Sequence, residues 1–441
     1  MPSRRNFIAL APAILGAMTI LPKISKAQSS ATPSATPSGN QAINASVFYS
    51  NHIKSVTAVT EVFGRSQRTT AAIIEYDQAI QHENISNTQW SVAGRTILKA
   101  YASNNAKKTP NASNGVFIIL ELDPNDEGAE IYSPKIETPA TVMVSQVKPL
   151  QTVSGKIYAP TNKAIINTRQ VNLIVDDFLQ FRYVDPLTGL LLNYNLYIPK
   201  NYDKAKSYPL VLFMHDAGVT GTNPLRTLQQ GLGAVSFASP LDQEVNPAFV
   251  LAPQYPTAIA NDASQTSDYA DVTIRLIKSL LGDYNIDSKR LYTTGQSGGC
   301  MTSIALNIKY PDFFAASFLV AGQWDPTQVA PLAKHKIWII VSQDDDKAYP
   351  GMNAITDTLE QNGAKITRAI WDGQSSPSEF QAAQDNMINE GPDSNIYYVA
   401  FRTGTVIPVG ENGRGGGHVW TWPIAYAIPS VRHWLLSQQK T

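Results

Sequence analysis

The sequence predicts two folded domains, a small all-β sandwich followed by a larger α/β domain built on a mainly parallel sheet. Four observations carry this expectation. Short β-branched runs divided by Asn, Asp, Gly and Pro clusters fill residues 47–176, and strands alternate with helical segments from residue 177 onward. Within that second region the turn Gly295-Gln296-Ser297-Gly298-Gly299 stands between a strand and a helix. At 441 residues the chain also exceeds the usual size of a single core.

The first element is an address. Ser3-Arg4-Arg5-Asn6-Phe7-Ile8 is similar to the twin-arginine export motif, and an apolar run from Phe7 to Leu21, broken by Pro12, follows it. That run is shorter than the roughly 20 apolar residues of a membrane span, and Ser25-Lys26-Ala27 offers the small residues a signal peptidase reads. Residues 1–27 therefore read as a cleaved signal with no stable membrane anchor, which sends the mature protein to the periplasm or outside the cell. An ordinary secretory signal with two incidental arginines would have the same result. Residues 28–46 repeat Ala-Thr-Pro-Ser and hold nothing that builds a core, as expected of a flexible tether.

In the β region the expected strands are Ser55–Phe63, Ala71–Tyr76, Arg95–Ala102, Val116–Leu122, Thr141–Val147 and Val171–Val175. Their number and spacing suggest a sandwich of immunoglobulin type, without the cysteine pair of the antibody version. From residue 177 a hairpin is expected first, Phe178–Asp185 with Leu190–Ile198. Strands follow at 210–214, 248–252, 290–294, 315–320, 336–342, 365–371 and 397–401, with helices at 268–281, 301–310, 353–362 and 379–389. Val272, Leu276 and Leu280 recur every fourth residue and give the first helix one buried face. This alternation implies a sheet covered on both sides, with its site at the carboxyl ends of the strands.

Bulk properties narrow the function. Thirty-five basic residues balance 35 acidic ones, so there is no basic face for nucleic acid. The single cysteine, Cys300, excludes an intrachain disulfide and a cysteine-rich metal site. Neither a phosphate-cradling P-loop nor a His-Glu-x-x-His zinc motif occurs, and no metal or cofactor is expected.

The chemistry points to Ser297. A serine on a sharp turn from strand to helix is a nucleophile elbow, and the glycines at 295, 298 and 299 supply the small neighbours it requires. The following helix N-terminus aims free N–H groups at the serine oxygen. The hydroxyl needs a base, and the base needs an acid to orient it. In the α/β-hydrolase order of Ser, acid, His, the base is His418, in a flexible loop after Gly413-Arg414-Gly415-Gly416-Gly417. His335 opens a strand ahead of the acids, and His433 belongs to a C-terminal amphipathic helix. Just past the strand 336–342 stand Asp344, Asp345 and Asp346, and position alone does not choose among them. The oxyanion hole needs two backbone N–H groups, one from Gly298 and one from the loop His215-Asp216-Ala217-Gly218. That loop resembles the His-Gly-x motif of esterases, whose third residue, here Ala217, donates. Asp replaces the usual glycine at 216, and because Asp tolerates left-handed conformations better than most residues the loop geometry can survive there. Trp324, Trp420 and Trp422 flank the site in sequence, and Trp324 is a candidate to line the substrate pocket.

With these residues placed, the chain from about residue 53 onward resembles bacterial secreted carboxylesterases with an N-terminal immunoglobulin-like domain. Their α/β-hydrolase domain is related to polyhydroxybutyrate depolymerases and feruloyl esterases. The resemblance rests on residues 119–128 (ILELDPNDEG), 194–200 (YNLYIPK), the elbow with Cys300-Met301, 321–325 (AGQWD), 347–352 (KAYPGM) and 417–420 (GHVW). It implies cofactor-free hydrolysis of small-molecule or polymeric esters. It also implies that the acid is Asp345, two residues before the Lys of Lys347-Ala348-Tyr349-Pro350-Gly351-Met352. A serine peptidase of prolyl-oligopeptidase type and a non-catalytic polymer-binding protein are the alternatives.

Overall fold

A computed structural model of the chain describes residues 7–10, 52–133, 135–161, 163–410 and 415–440. Apart from Phe7–Leu10, the expected signal and tether lie outside the described residues. Two compact units emerge, Thr32–Asp177 and Phe178–Thr441, the latter joined by Met1–Ala31.

In the smaller unit, Ile53–Phe63 and Ser66–Ile80 form a long hairpin, turned at Gly64 with φ of 51°. Both strands outrun the expected runs because their β-branched, inward-facing residues continue to be buried: Val56, Ala58, Ala72, Ile74 and Tyr76 are fully enclosed. Gly115–Leu122 and Ile97–Ser103 extend this sheet antiparallel, and Arg169–Asn172 adds to it in parallel beside Ile53–Phe63. A second sheet joins Ile165–Ile166, Met143–Gln146 and Trp90–Val92. The core between the sheets includes Ile118, Leu120, Trp90, Val144 and Tyr158. This is an immunoglobulin-like sandwich. The expected strand 171–175 is cut short at Asn172: Ile174 turns to φ of 67° and Val175–Asp177 forms a 3-10 turn.

The larger unit is an α/β-hydrolase fold. Its strands are β1 (Leu179–Val184), β2 (Leu191–Tyr197), β3 (Tyr208–Met214), β4 (Phe249–Gln254), β5 (Ile286–Gln296), β6 (Ala316–Val320), β7 (Ile337–Ser342), β8 (Ile366–Trp371) and β9 (Ile396–Phe401). They order as β1-β2-β4-β3-β5-β6-β7-β9-β8, and Phe7–Leu10 pairs antiparallel with the outer side of β1. β1 and β2 are antiparallel, as the expected hairpin requires, and every pair from β4 to β8 is parallel. β3, β4, β7 and β9 are buried along their whole length, which explains why they read as unbroken apolar runs rather than alternating ones. The helix Tyr269–Asp283 buries Val272, Leu276 and Leu280 against Leu210, Leu212, Leu251 and Leu291 of the sheet. β4 and β5 leave β3 on opposite sides, so the chain reverses at β3 and opens a crevice at its carboxyl end.

Three short helices between β3 and β4, Arg226–Gln229, Leu232–Phe237 and Pro240–Val245, were not expected. Each is too short to show a periodicity, although Ser239 before Pro240 is a legible start signal, and its side chain accepts the Asp242 N–H. Among the described residues no helix is long and apolar enough to cross a membrane.

The C-terminal helix Pro429–Ser437 is anchored through charge. Arg432 grips Asp242 with two bonds, Nε to Oδ2 at 2.6 Å and Nη2 to Oδ1 at 2.7 Å, and also donates to the Tyr426 carbonyl. The two side chains are 7% and 2% exposed, so removing one strands the other in a dry interior. Asp242→Ala should therefore lower unfolding free energy by about 3–5 kcal/mol. The double change Asp242→Leu with Arg432→Met should cost clearly less than that single change. Urea unfolding of the two variants tests this, and equal losses would refute it.

Candidate active site

β5 ends in the turn that presents Ser297. Its φ of 53° and ψ of −117° place a non-glycine residue in a strained region, at the N-cap of the helix Gly298–Lys309. Glycine neighbours are obligatory because three backbones meet there. A Cβ on Gly299 would lie 1.9 Å from the Met214 carbonyl oxygen at the end of β3, and one on Gly295 would lie 2.5 Å from the Gly299 carbonyl carbon. Gly322 is equally confined, its added Cβ falling 2.5 Å from the Cys300 sulfur. Cys300 itself is fully buried, which pushes its thiol pKa up and leaves it inert.

His418 is the expected base. The expected loop is instead the first turn of a helix, Gly416–Ala427, entered through Gly415 at φ of 80°. Glycines before it and Pro423 within it hid this helix from the sequence, yet left-handed entry needs the former and burial of Thr421, Ala425 and Tyr426 overrides the latter. Gly417 is confined as well: a Cβ there would sit 2.3 Å from the Asp344 carbonyl oxygen, so helix and acid loop touch backbone to backbone. His418 Nε2 lies 2.9 Å from Ser297 Oγ, and Nδ1 lies 2.6 Å from Asp345 Oδ2. Nδ1 can only donate to that carboxylate, which leaves Nε2 facing the serine as an acceptor. The ring is 26% exposed, open to a substrate on one side, and Trp422 stands edge-on to it at 5.3 Å between centroids.

Of the three aspartates, Asp345 turns inward. Its Oδ1 accepts the N–H groups of Lys347 at 3.1 Å and Ala348 at 2.9 Å, at the start of the helix Ala348–Gln361. That helix begins five residues before the expected Asn353 because Pro350 falls in its first turn, where the missing N–H costs nothing. Burial works to raise the Asp345 pKa. The bond to His418, its charge when protonated and the two N–H groups outweigh burial and hold the carboxyl below the usual carboxylate range. Asp344 spends Oδ2 on the Gly404 N–H at 2.7 Å, and Asp346 is exposed.

The expected oxyanion donors lie together. Ala217 and Gly298 are each the first residue of a helix, Ala217–Val219 and Gly298–Lys309, so neither N–H has an acceptor within its own helix. The first atom a side chain on Gly298 would approach is the Ala217 nitrogen, at 3.6 Å. Asp216 does not use the left-handed conformation that it tolerates. Its φ of −75° and ψ of 171° are extended, and its carboxylate caps the turn by accepting the Gly218 N–H. Trp324 is 6% exposed and donates its indole N–H to Gln328, as part of the loop after β6.

Sequence reasoning missed a strap beside the site. The short hairpin Ala260–Asn261 with Gln265–Thr266 places Asp262 against Gln323 and Lys347, and Ser264 Oγ accepts the Asp325 N–H. Nothing in a polar loop signals such long-range partners. The other two histidines that follow Ser297 are elsewhere. His433 lies 3.9 Å from Asp242, and His335 Nε2 lies 3.2 Å from Ser317 Oγ. Among the described residues no cluster of three or more His, Cys, Asp or Glu side chains is arranged to hold a metal ion.

The esterase Ig-like N-terminal domain model matches residues 55–159. Among solved structures, a thermostable esterase aligns over 88% of this chain and 100% of its own, with a TM-score of 0.74 and 27% identity. A feruloyl esterase module from Clostridium thermocellum covers 57% of this chain and 87% of its own at 16% identity and a TM-score of 0.38. A ferulic acid esterase from Anaeromyces mucronatus covers 58% and 91% at 11% identity and a TM-score of 0.36. Overlaps that slight add nothing beyond themselves. No match was found among curated proteins. The chain is thus similar to esterases that join an Ig-like N-terminal domain to an α/β-hydrolase fold.

His335 carries a prediction of its own. Burial, and then the charge of Lys336, lower its pKa from 6.5 to about 4. Ser317 Oγ already accepts from Thr293 and Asn307, so its proton is free for a neutral imidazole. A depressed pKa means the unfolded chain binds the extra proton first, so this contribution is complete above pH 6.5 and is lost as pH falls toward 4. Across that window His335→Gln should lose on the order of 1–3 kcal/mol less stability than the parent. Melting temperatures from pH 7 to 4 test it, and parallel curves would refute it.

Proposed function

We propose that this esterase cleaves carboxylic esters at Ser297 through a covalent acyl-enzyme. His418 serves as general base and acid, and Asp345 as the group that orients it. The observation that carries the reading is the unbroken hydrogen-bond chain from Ser297 Oγ through both imidazole nitrogens to Asp345. His418 Nε2 takes the hydroxyl proton as Oγ bonds to the ester carbonyl carbon, and the carbonyl electron pair moves onto oxygen. That oxyanion lies between the Ala217 and Gly298 N–H groups, which bear on charge that develops only in the transition state. The pair returns, the carbon–oxygen bond to the leaving alcohol breaks, and His418 delivers its proton to the alcohol. A water, deprotonated by the same imidazole, then releases the acid and restores Ser297. Asp345 stays ionised throughout, as its lowered pKa allows.

Substrates are small-molecule or polymeric esters. Export of the enzyme is part of the proposal and rests on Ser3-Arg4-Arg5-Asn6-Phe7-Ile8. Fractionating cells that express the chain, with and without Arg4→Lys and Arg5→Lys, tests it.

Ser297→Ala should reduce turnover of a p-nitrophenyl ester by about 10⁶-fold while leaving the melting temperature in place, and a phosphonate probe should label Ser297. A matched peptide anilide should be turned over far more slowly than the ester, and the opposite ranking would make the protein a peptidase. Asp345→Asn should lower kcat by about 10⁴-fold, since an amide favours the wrong tautomer of His418. Asp344→Asn and Asp346→Asn should stay within about fivefold, equivalent to ~1 kcal/mol or less. A large loss at either of those two instead would reassign the acid.

A further inference from the structure

The oxyanion loop departs from the esterase pattern at Asp216, where glycine is usual, and the side chain present there makes two bonds that glycine has no means to make. Oδ1 accepts the Gly218 N–H at 2.7 Å, and Oδ2 accepts Nε2 of Gln296 at 3.2 Å. We propose that Asp216 is a positioning residue for the oxyanion hole, bridging the loop that holds the Ala217 donor to the strand end that holds the Gly298 donor. This rests on the ester-hydrolase reading of Ser297 given above.

The directions of the ties around the loop carry the argument. On one side, His215 Nδ1 donates to the Asp216 carbonyl at 2.7 Å, and its Nε2 accepts the Tyr255 N–H at 3.0 Å. Nearby, Gln254 Nε2 donates to the Val219 carbonyl at 2.8 Å. Both ties run to Gln254 and Tyr255 at the end of β4. The Asp216 carboxylate runs the other way, to Gln296 at the end of β5, the residue directly before Ser297. Gln296 is itself held, sharing its amide with Gln230 Oε1 at 3.1 Å. Opposed ties toward β4 and β5 fix where Ala217 stands relative to Gly298. Without the second, the side-chain ties of the loop itself run only to the β4 side.

The fit is close. Asp216 is 8% exposed and Gln296 2%, so their bond is shielded from water and worth more than a surface contact. A Cβ on Gly218 would fall 2.8 Å from Asp216 Oδ1, so a side chain at 218 would press on the capping carboxylate. Capping Gly218 also commits that N–H to the carboxylate, leaving the Ala217 N–H for substrate. An oxyanion donor must be held within about half an ångström of its place, and a looser one weakens the transition state more than the bound ester.

The test uses the full chain, a p-nitrophenyl ester and an alkyl trifluoromethyl ketone, whose adduct with Ser297 places an oxyanion in the hole. Asp216→Ala and Asp216→Gly should lower kcat by about tenfold to a hundredfold, less than the 10²–10³ typical of losing a donor outright. KM should stay within about twofold, and the ketone's inhibition constant should rise by the same factor as kcat falls. A merely structural role would lower the yield of folded protein without that paired change. Asp216→Asn sets two amide NH₂ groups against each other and should behave like the alanine variant. Gln296→Leu removes the same bond from its other end, and adding it to Asp216→Asn should cost little further kcat because the bond is already gone, which keeps the test sharp if the alanine and glycine variants fold poorly. If Ser297→Ala is inactive while the Asp216 variants keep kcat and ketone affinity, or if Gln296→Leu lowers kcat as much on top of Asp216→Asn as it does alone, the bridge is refuted and the ester-hydrolase reading stands. If Ser297→Ala remains active, both fall.

Discussion

The close passage of the Ser297 turn beneath the end of β3 is the constraint on which the rest of the catalytic end depends. With a Gly299 Cβ forbidden at 1.9 Å from the Met214 carbonyl oxygen, strand, turn and helix meet without intervening side chains. That contact sets Gly298 beside Ala217 and sends Ser297 out at φ of 53°. Strain of this kind costs of order 1–3 kcal/mol and persists because the flanking elements over-determine it. β3 and β5 are bonded along their length, from Leu210 beside Leu291 to Met214 beside Gly295, so the strand pair itself enforces the approach.

A second regularity joins the site's parts. Ser297, Ala217, Asp345 and His418 all lie at or next to the beginning of a helical segment, where N–H groups lack partners within the helix. Two of these starts hold the proposed oxyanion donors, and a third receives the Asp345 carboxylate. One feature of helix geometry thereby serves opposite ends of the proton path, offering donors to the forming oxyanion and holding the orienting acid negative.

Much of this was legible in the chain because the governing constraints are local. The elbow announces itself through three glycines around a serine, and the buried strands through unbroken apolar runs. Where constraints come from elsewhere in the fold, reading failed or stopped. Three adjacent aspartates look alike in sequence, and what separates them is distant: Gly404 for Asp344, His418 for Asp345 and solvent for Asp346. Asp216 was read by analogy with the glycine it replaces, although Asp-Ala-Gly is also a capping pattern whose side chain bonds the second N–H onward. The helix bearing His418 was missed because glycines and a proline are weighed as breakers, whereas one glycine makes the entry and tertiary burial carries the remainder.

The proposed base stands 121 residues beyond the proposed nucleophile. At about 5–20 residues per second on the ribosome, Ser297 waits on the order of ten seconds before His418 exists. Throughout that interval the serine is chemically silent, even with its turn already shaped. The Arg432–Asp242 grip closes later still, between residues 190 apart, and locks down the segment directly after the one that bears the imidazole. On the proposed mechanism, a half-made chain is thereby spared premature reaction with the esters of the cell that makes it.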